Sequence, residues 1–158
     1  MFRPIVRFKQ AISEEECIEI LKNEPRGVLS VLGDDDYPYG SPINHFYNEE
    51  DGKIYFHGGL TGHRIDSIKK HDRASFCVYD QGFRREGEWA LNIKSVIVFG
   101  RIEIIEDTEK MLDIARKLCY KFTDDEAYIQ HEIERSGRRT LMYALVPEHM
   151  TGKLVNEA

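Results

Sequence analysis

No apolar run in this chain of 158 residues comes near the roughly 20 residues that carry a helix across a bilayer. The opening residues, MFRPIVRFKQ, hold neither a continuous apolar stretch nor a small-residue cleavage site. A membrane span and a secretory leader are therefore not expected, and the expected compartment is the cytoplasm. Cysteine is scarce. Cys17, Cys77 and Cys119 are far apart and form no CxxC pair, a pattern of free thiols rather than a disulfide framework. Positive charge is in deficit, with a formal net charge of −6. That argues against a nucleic-acid partner, whose phosphates demand a surplus of Lys and Arg. HExxH, a Cys/His quartet, a GxSxG elbow and a GxGxxG turn are all missing. No metal site, serine nucleophile or dinucleotide-binding crossover is expected. Without a repeat, a low-complexity tract or a Pro/Gly/Ser linker, residues 1–158 read as one unit.

What is present is ordinary globular material, 41% hydrophobic and 32% charged, which is enough for a real core. Ser13 and Glu16 form a capping-box pattern ahead of a helix ended by Pro25. Strand-like segments come after it: RGVLSVLG, then YPYGSPINHFYN with prolines that suit an edge or a bulge, then KIYFHG after the turn NEEDG. GHRIDSIKKHD reads as helix, RASFCVYD as strand, and WALNIKSVIVFGRIEIIED as one bent strand or two, with Gly100 as the kink. Two helices come next, the first with a core-facing stripe from Met111 to Phe122. RTLMYALVP reads as a last strand stopped by Pro147, and EHMTGKLVNEA as a polar tail. The connections are short, so neighbours are antiparallel. A small, mainly antiparallel β-barrel with peripheral helices is expected.

The most informative stretch is IYFHGGLTGHR, Ile54 to Arg64. A strand leaves through two glycines and delivers His63 and Arg64 to the mouth of a helix. One reading is a tight turn that needs glycine. The other is an anion seat, made of bare backbone N–H groups, a helix N-terminus and fixed positive charge.

In the order and spacing of YPYGSPINHFY, IYFHGGLTGHRIDSI and KSVIVFGRIEII, the sequence resembles the pyridoxamine 5′-phosphate oxidase-related split-barrel family, in particular its 5-nitroimidazole-resistance (Nim) branch. The resemblance runs from about Gly27 to Lys153. It implies an antiparallel split β-barrel that binds FMN, as a homodimer with one flavin in each of two clefts between subunits. FAD and haem are the alternative ligands. By position, His63 and Arg64 fall where the family holds the flavin phosphate. Phe56, His57, Gly58 and Gly59 fall beside the ribityl chain and phosphate. Asn44, His45 and Phe46 fall along the isoalloxazine ring. Ser95 and Val96 fall on a strand that approaches the flavin from the partner subunit, and Lys153 falls in a tail that closes over the site.

The expected activity is that of a flavin-dependent oxidoreductase. It would take electrons from a transiently docked NAD(P)H and pass them to a small substrate such as a nitroimidazole. His57 or His45 is the expected proton donor or substrate contact. The competing expectation is a non-catalytic flavin- or haem-binding carrier, store or sensor. Simpler roles stand beside these: a solvent-facing strand residue for His45, a tail residue for Lys153, core or interface for Trp89. The Arg-x-His clamp of true pyridoxamine phosphate oxidases is missing, so that substrate is not assigned. His63 stands where Arg is common.

Overall fold

Ser13 begins the first helix as its spacing from Glu16 predicts. Its hydroxyl accepts from the Glu16 N–H at 3.2 Å, and the Glu16 carboxylate accepts from the Ser13 N–H at 3.1 Å. Helix α1 (Glu14–Asn23) then buries Cys17, Ile20 and Leu21. In this computed structural model all residues from Met1 to Ala158 are described.

Seven strands succeed it, interleaved with helices: β1 (Arg26–Leu32), β2 (Pro38–Asn44), β3 (Phe46–Asn48), β4 (Lys53–Gly58), α2 (His63–Lys70), β5 (Arg73–Tyr79), β6 (Asn92–Ile104), α3 (Thr108–Tyr120), α4 (Glu126–Ser136) and β7 (Leu141–Asn156). They form one sheet in the order β2-β1-β5-β6-β7-β4-β3, and every pairing is antiparallel. The two edge strands, β2 and β3, are neighbours in sequence. Asn44 pairs with Arg26 on β1, and Phe46 pairs with Tyr55 on β4. The chain thus steps from one edge of the curled sheet to the other through the single residue His45. That step closes the barrel at one end. Beyond it, β2 and β4 have no ladder between them, and the barrel is split.

Leu29, Val31, Phe56, Phe76, Val78, Val96, Val98, Tyr143 and Leu145 fill the inside. A smaller cluster of Tyr55, Ile105, Ile114, Met142 and Ala144 packs outside, under α3. Strands β4 and β7 are therefore buried on both faces. Their sequences run apolar without alternation for that reason.

Two expectations need correction. Pro147 does not end a strand, and the residues after it are no tail. β7 continues to Asn156 along β6. The register slips between Phe99 and Gly100, so that Phe99 faces His149, Gly100 faces Pro147, and Glu148 bulges out. A bulge tolerates a residue without an N–H. Gly100 is required there, since a Cβ would sit 2.1 Å from the Val146 carbonyl oxygen.

On the outer face, Val28, Cys77, Ile97 and Thr151 line up across β1, β5, β6 and β7. Val28, Ile97 and Phe99 are more than a third exposed. No helix is long and apolar enough to cross a membrane.

Candidate functional site

The glycine turn does more than reverse the chain. Gly62 caps α2 at φ 130° and ψ 167°, a conformation essentially reserved for glycine, and offers no side-chain oxygen to the helix. The first intrahelical bond is made by the Asp66 N–H to the Gly62 carbonyl. The N–H groups of His63, Arg64 and Ile65 precede that bond, and together they point out of the helix start. Gly58 and Gly59 have ordinary room for a Cβ. Of the turn's three glycines, only Gly62 is needed for its backbone angle.

Arg64 projects from this first turn across the split. Its Nε and Nη2 donate to Ser41 Oγ on β2 at 3.0 and 2.6 Å. Nη1 donates to the Tyr143 hydroxyl on β7 at 3.4 Å, and that hydroxyl lies 3.7 Å from where a Gly58 Cβ would be. All these partners are neutral, so the guanidinium charge has no carboxylate to offset it. Tyr143 is fully buried. Burial pushes its pKa up, and Arg64 opposes that. Ser41 and Tyr143 are site residues that sequence reasoning missed. No motif marks them, because only strand pairing brings β2 and β7 to the start of α2.

His63 turns the other way. Its ring packs on Tyr39 at 4.1 Å, and its Nε2 accepts from the Asp34 N–H at 3.2 Å. It buttresses the acidic turn after β1, while Arg64 alone of the basic pair spans the split.

One residue before Gly58, His57 faces outward and pairs with Met142 of β7. Beside it, α3 and α4 enclose a cavity of about 390 Å³, walled by Met111, Ala115, Leu118, Phe122, Tyr128 and Met142, with Asn44 at its edge. Volumes of this order suit small ligands. His57 is exposed in this chain, and the desolvation it does feel lowers its pKa, with no hydrogen bond or charge countering it, which favours the neutral ring at pH 7. A larger groove of about 950 Å³ lies between the chain's ends and the β5–β6 loop, with Arg85 and Trp89 on its rim. It is broad, and it does not touch the Arg64 region. Trp89 there is 75% exposed and is no core residue of this chain.

The other expected residues are dispersed. His45 is fully buried, its Nε2 2.7 Å from the Leu21 carbonyl oxygen and its ring edge-on to Phe76. Burial, and then the neighbouring Lys121 ammonium, push its pKa down to about 3. A ring sealed in this way cannot exchange protons with a ligand, so His45 is a support of the barrel step rather than a donor. Phe56 and Val96 are core side chains, and only their backbones could meet a ligand. Asn44 accepts from Arg26 Nε at 3.3 Å and still lines the cavity. Phe46 packs beside the outer cluster.

Ser95 pairs with Lys153, far from the turn. At about 3.3 Å per residue, Lys153 lies some 40 Å along β7 from Leu141, the partner of Gly58. Neither Ser95 nor Lys153 is a hydrogen-bond partner of Arg64.

An antiparallel sheet that closes through one residue and stays open beside it defines a split β-barrel. The chain belongs to the pyridoxamine 5′-phosphate oxidase family, whose model matches residues 13–154. No curated protein matches it by sequence. Among solved structures, it is similar to a candidate 5-nitroimidazole antibiotic resistance protein of Bacteroides thetaiotaomicron, at 18% identity and TM-score 0.76, covering 92% of this chain and 87% of that one. It is also similar to an FAD-binding protein of Mesorhizobium loti, at 21% identity and TM-score 0.66, covering 92% and 97%. A third is the FAD and haem binding protein of Mycobacterium smegmatis, at 20% identity and TM-score 0.74, covering 95% and 74%. At these identities the likeness speaks for the fold.

Proposed function

We propose that the protein binds a flavin, with FMN as the preferred form, and acts as an oxidoreductase on a small substrate. The observation that carries this reading is Arg64. It is an uncompensated guanidinium held by Ser41 and Tyr143 over an uncapped helix start, beside a cavity that contains a neutral histidine. A phosphate monoester fits that seat, because a guanidinium fork, free N–H groups and the positive end of a helix dipole all belong to the first turn of α2. Similar structures of FAD-binding proteins on the same fold support a flavin as the ligand.

A bound flavin would supply the redox chemistry, and the chain's residues would orient it and shape the substrate space. Arg64 and the α2 N–H groups would hold the phosphate. Asn44 and the backbone of β2 would border the ring. His57 would contact the substrate or donate a proton from the cavity mouth. The antiparallel sheet offers no dinucleotide crossover, so NAD(P)H would dock transiently. The outer row of Val28, Cys77 and Ile97 gives a second copy an apolar face to cover. Pairing there would let Ser95 and Lys153 approach a partner's flavin.

A carrier role is the second reading, favoured by the bare His57 ring, which has no acid or base oriented against it. The visible spectrum of the purified protein tests the first step. Bands at about 375 and 450 nm mark a bound flavin, the group that would carry the chemistry. A Soret band would mark haem, and a colourless protein that takes up neither would refute the reading. Steady-state turnover with NAD(P)H and a nitroimidazole separates enzyme from carrier.

A further inference from the structure

We infer that the cavity beside His57 selects small, largely apolar molecules that carry a positive charge, with Glu132 of α4 as the counter-charge. This rests on the reading of that cavity as the substrate end of the site. Sixteen residues line it, and none is Lys or Arg. Its neutral polar groups are Asn44, Cys119, Thr123, Tyr128, Ser136 and Thr140, beside His57. Glu132 is the single carboxylate.

Three observations leave that charge available to the cavity. The Glu132 side chain is only 32% exposed. Its one ion partner, Arg135, is 3.9 Å away and 70% exposed, which leaves the pair weak. Cys119, another lining residue, has its thiol pushed up first by burial and next by Glu132, so the carboxylate is close enough to act on a second group of the lining. Arg116 acts on Cys119 in the other sense, but its Nη2 is engaged by Gln130 Oε1 at 2.5 Å, outside the lining.

The interior therefore presents one negative charge among apolar walls, with His57 neutral. An anion placed there meets repulsion and no donor cation. A phosphorylated or carboxylated substrate is excluded by the same chemistry that makes Arg64, on the other side of Gly58, a phosphate seat. The two ends of the site have opposite polarity. The cofactor's phosphate belongs to one end, and a protonated amine or an aromatic cation to the other.

Three matched probes test this: 2-naphthylmethylamine, 2-naphthalenemethanol and 2-naphthoate, titrated by fluorescence against flavin-loaded and flavin-free protein. The wild type should bind the amine about 10-fold tighter than the alcohol, the lower end for a hydrogen bond to a charged group, and the naphthoate weakest. Glu132→Gln should bring amine and alcohol level. Glu132→Lys should put the naphthoate first. Glu132 sits on a half-exposed helical face, and circular dichroism of each variant checks its fold. Naphthoate binding as tight as the amine in the wild type would overturn the inference, even if both variants misfold. A preference untouched by Glu132→Gln in a folded protein would overturn it too, as would failure of all three probes to bind. Loss of the flavin reading would appear separately, as a protein without flavin bands that still ranks the probes by charge.

Discussion

Two histidines twelve residues apart mark two regions with different duties. Around His45 the chain crosses between sheet edges, and the polar groups there are turned to holding that step. His45 meets the Leu21 carbonyl, and Lys121 Nζ donates to the His45 carbonyl oxygen at 2.8 Å. Around His57 the chain ends a strand instead. The ring is left without a partner, the next residues are glycines, and a charged side chain is held by neutral groups. Polar groups bonded to the backbone at the first region hold the barrel step, with only His45 Nδ1 left unpaired. Groups left available at the second are what a ligand can use.

Acid should reveal the first region most strongly. The His45 pKa falls from 6.5 to about 3 on folding. Between those values the unfolded chain binds a proton that the folded chain refuses. Stability from this group is thus complete above pH 6.5 and is lost as pH falls toward 3. At 1.4 kcal/mol per pH unit the interval amounts to about 5 kcal/mol. The lowered pKa of His57 acts in the same direction. Denaturant unfolding from pH 7 to pH 4 should show the slope. His45→Gln, which keeps a donor for Leu21 and does not titrate, should flatten it. An unchanged slope would remove His45 from the acid limb.

His57→Ala should do the reverse. It should leave unfolding within about 0.5 kcal/mol of wild type, as surface substitutions usually do. If the protein is an enzyme, it should lower turnover by about 10²–10⁴-fold, the usual contribution of a positioned acid or base. Full turnover would move the proton source elsewhere. A smaller contrast lies within the glycine turn. Gly62→Ala should destabilise the protein by about 1–3 kcal/mol, because φ 130° is closed to a side chain. Gly59→Ala should be neutral or slightly stabilising. Thermal melts of the two variants would decide whether the turn is built around Gly62.

The sequence made local features readable and left pairing-dependent ones hidden. The capping box of Ser13 and Glu16 and the kink at Gly100 depend on a few adjacent residues, and both were legible. The length of β7 was not. Pro147 ordinarily stops a strand, and only the slip opposite Gly100 makes it acceptable. The inward set of His45 was hidden for a related reason. It lies between two strands that pair with different partners, so alternation along the chain gives no face. Arg64 stood out beside the glycines, but Ser41 and Tyr143 could not, since they lie 23 and 79 residues from it in sequence. Glu132 looked like any acid on a helix until α4 was seen against the cavity.

Arg64 is central, as the principal charge of a phosphate seat. The most direct measurement is the affinity of FMN and of riboflavin for wild type and for Arg64→Ala. Arg64→Ala should weaken FMN by about 1.5–3 kcal/mol, the range for a hydrogen bond to a charged group. Riboflavin, which lacks the phosphate, should bind wild type more weakly than FMN and respond little to the substitution. A folded Arg64→Ala protein that binds FMN as tightly as wild type would contradict that role, and the glycines from Gly58 to Gly62 would then serve only to turn the chain.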